Sequence, residues 1–229
     1  MMRWLAIWLL LAPALASADG RKMLGAHEQD AWSSVGRLNF GDGFCTGALV
    51  APDLVATAAH CLYAPRTGNA RPVDRIHFVA GYRLRKFAGH EKASRTVQHP
   101  EYVYSPRINA KAVATDVALI TLKAPLSLPP FAIAPGLAAG DEVSILSYGR
   151  DRPEIPSIQS PCAVVLRDGG VAVLACDVTY GVSGAPVFRE IDGAWRIVAI
   201  ISGMGTHKGQ KVAYAAVLEE ALPPVFAAP

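Results

Sequence analysis

Short apolar segments, separated by glycine, proline, asparagine and aspartate, recur through most of this sequence at intervals of roughly ten residues. They cover residues 35–40, 45–50, 76–80, 117–122, 142–148, 162–166, 171–176, 186–190, 195–202 and 212–218. Long stretches of helical periodicity are absent, and an apolar content of 52% supplies ample material for a packed core. The pattern predicts an all-β protein, built as a sandwich or a barrel.

Residues 124–140 separate these segments into two groups. The stretch has few residues that could continue a sheet, which is typical of a linker that crosses between domains. Its four prolines are Pro125, Pro129, Pro130 and Pro135. We therefore place a domain boundary near Pro130 and expect two similar β domains, residues 19–130 and residues 131–229.

The first 18 residues have the organisation of an export signal. Arg3 precedes an apolar run over residues 4–11, and the small residues 16–18 fit an A-x-A cleavage pattern. The run is too short for a permanent membrane span, which needs about 20 residues. The sequence therefore predicts a signal peptide over residues 1–18 and a secreted or periplasmic protein with no membrane anchor after the signal is removed.

The balance of charge argues against one class of partner. The sequence has 22 lysines and arginines against 19 aspartates and glutamates, a formal net charge of +3, and no basic run longer than two residues. Proteins dedicated to nucleic acids usually carry a clustered basic face. We therefore expect no nucleic acid partner.

The four cysteines should form two disulfides if the chain matures in an oxidising compartment. Cys162 and Cys176 lie at equal distances from a turn signal at residues 168–170, so a three-residue hairpin loop would oppose them across two antiparallel strands. Opposed Cα atoms are then about 4.5 to 5.5 Å apart, which a disulfide tolerates. The remaining pair would be Cys45 with Cys61. Four cysteines permit three pairings, so the other two stay open.

Two polar side chains in the first half are candidates for chemistry. His60 precedes Cys61, so a disulfide there would pin its backbone, as a general base requires. Asp116 lies at the start of an apolar strand. Each has a plainer interpretation, because a histidine can be a buried structural residue and an aspartate before a strand often forms a turn.

The third candidate lies in the second half. Ser183 stands in the segment Gly-Val-Ser-Gly-Ala-Pro-Val, residues 181–187, just before a predicted strand. The glycines permit a tight turn that points successive amide N–H groups into one small space, which a developing oxyanion requires. Taken alone, a serine between glycines is also what an ordinary turn contains.

Taken together and in this order, residues 57–61 (Thr-Ala-Ala-His-Cys), 115–122 (Thr-Asp-Val-Ala-Leu-Ile-Thr-Leu) and 181–187 resemble the trypsin/chymotrypsin-like serine peptidases, specifically their bacterial trypsin-like branch. The resemblance implies two six-stranded antiparallel β-barrels with the active site in the cleft between them. His60 and Asp116 would come from the first barrel and Ser183 from the second. It also implies a monomeric endopeptidase that acts on proteins or peptides without a cofactor.

The resemblance assigns a role to each residue of the site. Ser183 would attack the peptide carbonyl, His60 would act as general base and then acid, and Asp116 would orient the imidazole. The amides of Gly181 and Ser183 would form the oxyanion hole. A further segment would pair with the substrate backbone, and it consists of Ser202, Gly203 and Met204.

The sequence departs from the family at positions that govern activation. Val182 stands where relatives activated by amino-terminal cleavage carry an aspartate that pairs with the new α-amino group. Arg21 and Lys22 superficially look like a processing site. Because Val182 has no carboxylate, an α-amino group freed by cleavage could not form this ion pair. We therefore expect activity without cleavage at Lys22.

Substrate preference rests on a single spacing. Asp177 lies six residues before Ser183, where trypsin itself places the carboxylate of its specificity pocket, so a lysine or arginine could be recognised there. Thr179 stands where trypsin has a cysteine, so the pocket wall must differ. Asp177 could equally be a structural hydrogen-bond acceptor, and small or apolar preferences stay open.

Other functions fit less well. An α/β-hydrolase esterase needs the order Ser, acid, His and a glycine at position 185, which is alanine. A non-catalytic binding protein on the same fold remains the main alternative. No metal site is expected, because the remaining histidines lack HExxH spacing; they are His27, His77, His90, His99 and His207. Three prolines in residues 218–229 predict no terminal helix beyond one turn.

Overall fold

The computed structural model describes residues 20–226, so the predicted signal peptide lies outside the described residues. Within that range the chain forms thirteen strands and two short α-helices. The strands are β1 Lys22–Met23, β2 Val35–Asn39, β3 Phe44–Ala51, β4 Leu54–Thr57, β5 His77–Ala80, β6 Gly89–Gln98, β7 Ala118–Leu122, β8 Glu142–Gly149, β9 Arg152–Asp168, β10 Val171–Leu174, β11 Pro186–Ile191, β12 Ala194–His207 and β13 Gln210–Val217. The helices are α1 Ala110–Ala114 and α2 Leu218–Phe226.

Strands β2 to β7 close into the first barrel, in the order β2-β3-β4-β7-β6-β5. Every pairing in it is antiparallel. Side chains that alternate along the strands fill the interior, as in small barrels generally. The largest that are fully buried include Leu38, Leu49, Phe78 and Ile120.

Strands β8 to β13 form a second closed ring, in the order β8-β9-β10-β13-β12-β11, because β8 pairs with both β9 and β11. Its pairings are also antiparallel. The prediction of an all-β fold with two six-stranded barrels is therefore confirmed. Trp32 lies at the junction, with its ring centroid 5.1 Å from that of Phe188 and 5.8 Å from that of Phe131.

The amino-terminal segment does not join the barrel to which the sequence assigns it. Strand β1 pairs antiparallel with β9 of the second barrel, with Lys22 opposite Ile158 and Met23 opposite Ser157. Both side chains of β1 are exposed, so backbone hydrogen bonds hold the strand in place. The strand is followed directly by Leu24, whose side chain is buried in the core.

The hairpin between β9 and β10 differs in detail from the prediction. Its loop has two residues, Gly169 and Gly170, because Val171 pairs directly with Asp168. A register shift between Val173 and Leu174 then leaves one extra residue on β9, which compensates for the shorter loop. The cysteines that follow are consequently opposed after all.

Both predicted disulfides are present. Cys45 pairs with Cys61 at a Cα separation of 6.3 Å, and Cys162 pairs with Cys176 at 5.5 Å. The first connects β3 to the turn after β4. The second connects β9 to the segment that leads towards residue 183.

The carboxyl-terminal helix is longer than predicted. Helix α2 has nine residues and includes Pro223 and Pro224. Its buried residues recur at helical spacing and pack against the rest of the protein. They are Leu218, Ala221, Leu222 and Val225. This packing offsets the loss of the two backbone hydrogen bonds that the prolines cannot donate. Among the described helices, none has the length and apolar character needed to cross a bilayer.

Candidate active site

His60 and Asp116 meet through two hydrogen bonds. The amide N–H of His60 donates to Asp116 Oδ1 at 2.8 Å, and His60 Nδ1 lies 2.7 Å from Asp116 Oδ2. His60 stands in a 3₁₀ turn over Ala59–Leu62, which the disulfide of Cys61 ties to β3. Asp116 follows α1 and precedes β7. The carboxylate therefore fixes both the backbone and the ring of the histidine.

The surroundings of this pair set the proton affinity of the imidazole. Burial lowers the pKa of His60, whereas the negative charge of Asp116 and its hydrogen bond raise it. The raising contributions prevail, so the pKa of His60 lies above the ordinary histidine value. A carboxylate at Nδ1 also leaves Nε2 as the nitrogen that can accept a proton.

Ser202 is a third partner of this pair. Its hydroxyl donates to Asp116 Oδ2 at 2.6 Å, so a residue of β12 in the second barrel bonds the aspartate of the first. Ser202 lies at a register shift between Ile201 and Gly203. The sequence predicts a substrate contact here and misses this bond, because no local pattern indicates which residues meet between two barrels.

Ser183 stands on a turn that only glycines permit. Gly181 and Gly184 have φ of +93° and +78°, in the left-handed region that favours glycine. A Cβ at Gly184 would overlap Thr57 Oγ1 and the carbonyl oxygen of Thr46. The backbone before and after the serine is therefore pressed against the first barrel.

Ser183 faces the same cavity as His60 and Asp116. Within residues 20–226 its hydroxyl makes no hydrogen bond to His60, and His60 Nε2 lies 3.8 Å from Cys61 Sγ. His60 and Asp116 are therefore joined by a direct hydrogen bond, whereas Ser183 lines the same cavity without a hydrogen bond to His60. Hydrogen bonds of this kind are often long in unliganded sites and shorten when a substrate binds.

The amides around Ser183 fall into two sets. Those of Val182, Gly184 and Ala185 donate to backbone carbonyls within the protein. In the described part of the chain, the amides of Gly181 and Ser183 donate to no protein acceptor. Both residues are half-buried and line the cavity, so these two N–H groups are available to an external oxygen.

Thr46 connects this turn to the first barrel and was not predicted. Its amide donates to the carbonyl of Ser183 at 2.8 Å, and its hydroxyl donates to the carbonyl of Gly181 at 3.0 Å. The same hydroxyl accepts from the amide of Tyr148 at 3.0 Å. Thr46 is fully buried, so these bonds are protected from water.

The cavity that these residues share has a volume of about 520 Å³ and is lined by both barrels. Ser202, Gly203 and Met204 lie along one wall, where β12 pairs with β13. Met204 and Tyr180 contribute exposed apolar surface, with 37% and 63% of their area accessible. A cavity of this size suits a few residues of an extended peptide.

Asp177 is not among the residues that line this cavity. Its carboxylate accepts from the amide of Gly20 at 2.9 Å, and its own amide donates to Gln159 Oε1 at 2.8 Å. The interpretation as a hydrogen-bond acceptor therefore fits the geometry better than recognition of a basic substrate side chain.

One group of potential metal ligands lies beside the site. The ligand atoms of Cys45, His60 and Cys61 fall within 4.8 Å of one another. The two sulfurs are bonded to each other, and a disulfide sulfur cannot act as the thiolate that metals bind. This donor set therefore does not fit a metal ion.

Comparison with known proteins gives a consistent picture. Residues 45–200 match the family described as "Trypsin-like peptidase domain". A trypsin of Pleuronectes platessa is 36% identical over 110 residues, 45% of this chain and 41% of that protein. A trypsin of the bacterium Saccharopolyspora erythraea is 33% identical over 115 residues, 48% of this chain and 45% of that protein.

Similarity to other proteins extends further along the chain at lower identity. A brachyurin of Leptuca pugilator is 26% identical over 147 residues, 61% of this chain and 59% of that protein. The chain thus spans about half the length of the curated relatives that it matches. A Glu endopeptidase structure superposes with a TM-score of 0.75 over 93% of this chain and 98% of that one, at 20% identity, which shows a shared fold.

Proposed function

The chain belongs to the trypsin-like peptidase family, and from that premise we propose that it is a serine endopeptidase that hydrolyses peptide bonds through an acyl-enzyme. His60, Asp116 and Ser183 form its catalytic triad. The amides of Gly181 and Ser183 form its oxyanion hole. Its substrates are proteins or peptides, and it acts as a monomer.

The reaction proceeds in two halves. Ser183 Oγ attacks the peptide carbonyl carbon while His60 Nε2 takes the hydroxyl proton, and the imidazolium then gives that proton to the departing amine as the C–N bond breaks. Water attacks the resulting ester, again with His60 as base, and releases the acid. Asp116 stabilises the imidazolium in both halves.

The amides of Gly181 and Ser183 carry the proposal. Within residues 20–226 neither amide has a protein acceptor, and both residues line the cavity that His60 and Asp116 also line. Each such donor typically lowers the barrier by about 3 to 4 kcal/mol, because it meets charge that develops only in the transition state.

Recognition of lysine or arginine by Asp177 is not part of the proposal. The carboxylate of Asp177 is engaged by the amide of Gly20 and lies outside the cavity lining. The substrate backbone pairs with the edge formed by Ser202, Gly203 and Met204, which line the cavity.

The protein acts outside the cytoplasm in this proposal. Two disulfides, Cys45–Cys61 and Cys162–Cys176, suit an oxidising compartment such as the periplasm or the extracellular medium. A signal peptide over residues 1–18 would supply the route.

Hydrolysis of denatured casein tests the proposal against a non-catalytic binding protein. We expect the purified protein to release new amino termini from casein and Ser183→Ala to release none, with an unchanged thermal transition. If the wild-type protein binds casein and leaves it intact, the chain is a binding module. Equal hydrolysis by both proteins would exclude Ser183 as nucleophile.

A further inference from the structure

We infer that the amino-terminal segment, residues 20–23, positions the oxyanion hole, and that Asp177 is its docking carboxylate. The inference rests on the proposed function, because it concerns the same catalytic turn. It makes Asp177 and Arg21 positioning residues that act through the loop before Ser183. Two independent sets of contacts support it, one on each side of residues 177–180.

On one side, the segment is bonded to the start of this loop. The amide of Gly20 donates to Asp177 Oδ2 at 2.9 Å. The amide of Asp177 in turn donates to the side chain of Gln159 on β9, and the preceding residue is held by the Cys162–Cys176 disulfide. The loop therefore begins at a point that the amino-terminal segment and β9 fix together.

On the other side, Arg21 holds the turn between β8 and β9. Its guanidinium makes two parallel bonds to the carboxylate of Asp151, at 2.8 and 3.2 Å. The Arg21 side chain is only 10% exposed, and Arg152 Nη1 donates to its carbonyl at 2.7 Å. Hydrogen bonding from Arg21 lowers the pKa of Asp151 against the smaller effect of burial. A paired, planar contact of this kind fixes orientation as well as distance.

The turn that Arg21 holds is hydrogen-bonded to the peptide group that carries the Gly181 N–H. The amide of Arg150, next to Asp151, donates to the carbonyl of Tyr180 at 2.7 Å. The peptide bond between Tyr180 and Gly181 is trans, so its N–H points away from its carbonyl. Arg150 therefore determines the direction in which the Gly181 N–H points.

Arg21 and the loop both approach Gly149, the last residue of β8. A Cβ built on Gly149 would lie 3.0 Å from both Arg21 Nη1 and Thr179 Cγ2, so the guanidinium and this part of the loop converge on the same glycine. Thr179 accepts from the amide of Val182, the residue before the nucleophile. Val182 has no carboxylate that could bond to the turn and hold it. In this inference the amino-terminal segment holds the turn instead, through Asp177 and Asp151.

The test compares Asp177→Ala, which removes the acceptor for Gly20, with Asp177→Asn, which keeps an acceptor oxygen. Hydrolysis of thiobenzyl esters of N-blocked lysine and N-blocked leucine gives kcat and KM. We expect Asp177→Ala to lower kcat about fivefold or more for every ester that the wild type hydrolyses, with little change in KM. Asp177→Asn should recover most of that loss.

Asp151→Ala provides a second variant on the opposite side of the loop, with the same expected loss of kcat. Asp168→Ala, at an exposed position at the end of β9 in the same barrel, is the matched control and should match the wild type. Amide hydrogen exchange offers a readout besides activity. It should become faster at residues 20–24 and 177–181 in Asp177→Ala and remain unchanged in Asp168→Ala.

Two outcomes would overturn the inference. If Asp177→Ala and Asp177→Asn both lose only the lysine ester, through KM, then Asp177 binds a basic side chain. If Asp177→Ala and Asp151→Ala both keep wild-type kcat and exchange, the segment does not position the loop. A wild-type protein that hydrolyses neither ester and fails to cleave casein would instead count against the proposed function itself.

Discussion

The hydroxyl of Thr46 in the first barrel donates a hydrogen bond to the carbonyl of Gly181 in the second, at 3.0 Å. The amide of the same threonine holds the carbonyl of Ser183. These two bonds hold the backbone on both sides of residue 182 against the first barrel, and so support the turn that carries the amides of Gly181 and Ser183. In the proposed mechanism the interface between the barrels therefore supports the oxyanion hole, and neither barrel carries all the residues of the candidate site.

Replacing Thr46 by valine tests this relationship at nearly constant volume. The change leaves the amide of Tyr148 and the carbonyl of Gly181 unpaired in a buried place. We expect the free energy of unfolding to fall by about 2 kcal/mol and kcat to fall about tenfold, because a displaced donor stabilises the oxyanion less. Urea unfolding and ester hydrolysis measure the two effects.

Thr46→Ser is the matched control for that variant. It keeps the hydroxyl and loses only a methyl group, so kcat should remain near that of the wild type. Equal losses in Thr46→Ser and Thr46→Val would mean that packing of the methyl group, and not the hydroxyl, holds the turn.

The pH profile of kcat/KM reports the His60–Asp116 pair. In the proposed mechanism only neutral His60 accepts the proton of Ser183, and the negative charge of Asp116 and its hydrogen bond outweigh burial and raise the pKa of His60 above the ordinary histidine value. Activity should therefore fall, as the pH decreases, through a value above that of a free histidine. In Asp116→Asn the charge that raises the pKa is gone while burial remains, so the rate should drop and the acid limb should move to lower pH.

An acid limb at the same pH in Asp116→Asn as in the wild type would show that the limb belongs to another group.

The ionisation of His60 also makes the free energy of unfolding depend on pH. Since the folded pKa of His60 is raised, its contribution is complete below the pKa of the unfolded chain and is lost as the pH rises through the folded pKa.

The two disulfides close loops of similar length, because their paired cysteines are separated by 16 and 14 positions in the sequence. Chain entropy then predicts that Cys162→Ala combined with Cys176→Ala lowers the free energy of unfolding by about 3 kcal/mol. Urea unfolding measures this loss, with Cys45→Ala combined with Cys61→Ala as the comparison. A loss below about 1 kcal/mol for both pairs would contradict the loop-entropy explanation.

The sequence was sufficient for features that depend on local pattern. Apolar segments bounded by turn residues located most strands, and the spacing of Cys162 and Cys176 around a turn located their pairing. Strand β6, Gly89–Gln98, was missed because its residues are mostly polar, and pairing with β5 and β7 stabilises it instead.

Features that depend on the contact between the barrels could not be predicted. Thr46 and Ser202 bond residues 135 and 86 positions away, and no nearby residue indicates either partner. Asp177 shows that spacing alone could not decide between two roles, substrate recognition and hydrogen-bond acceptance. Its spacing from Ser183 left both roles open, and the bond that favours the second comes from Gly20, 157 positions earlier, which no local pattern indicates.

Cleavage after Lys22 should lower activity and not create it. The cut would divide β1 and separate Gly20 and Arg21 from the rest of the chain, and these are the residues that bond Asp177 and Asp151. We expect Lys22→Gln, which removes the basic cleavage point at an exposed position, to be as active as the wild type. Activity that appears only after cleavage at Lys22, followed by amino-terminal sequencing, would contradict this account.

Labelling by a reactive organophosphonate, with the adduct located by peptide mass spectrometry, tests most directly whether His60, Asp116 and Ser183 act as one unit. We predict one adduct per molecule, on Ser183, and none in Ser183→Ala. Labelling should be at least about a hundredfold slower in His60→Ala, because the hydroxyl then loses its base. An adduct on another residue, or labelling of Ser183 at the same rate without His60, would contradict the account.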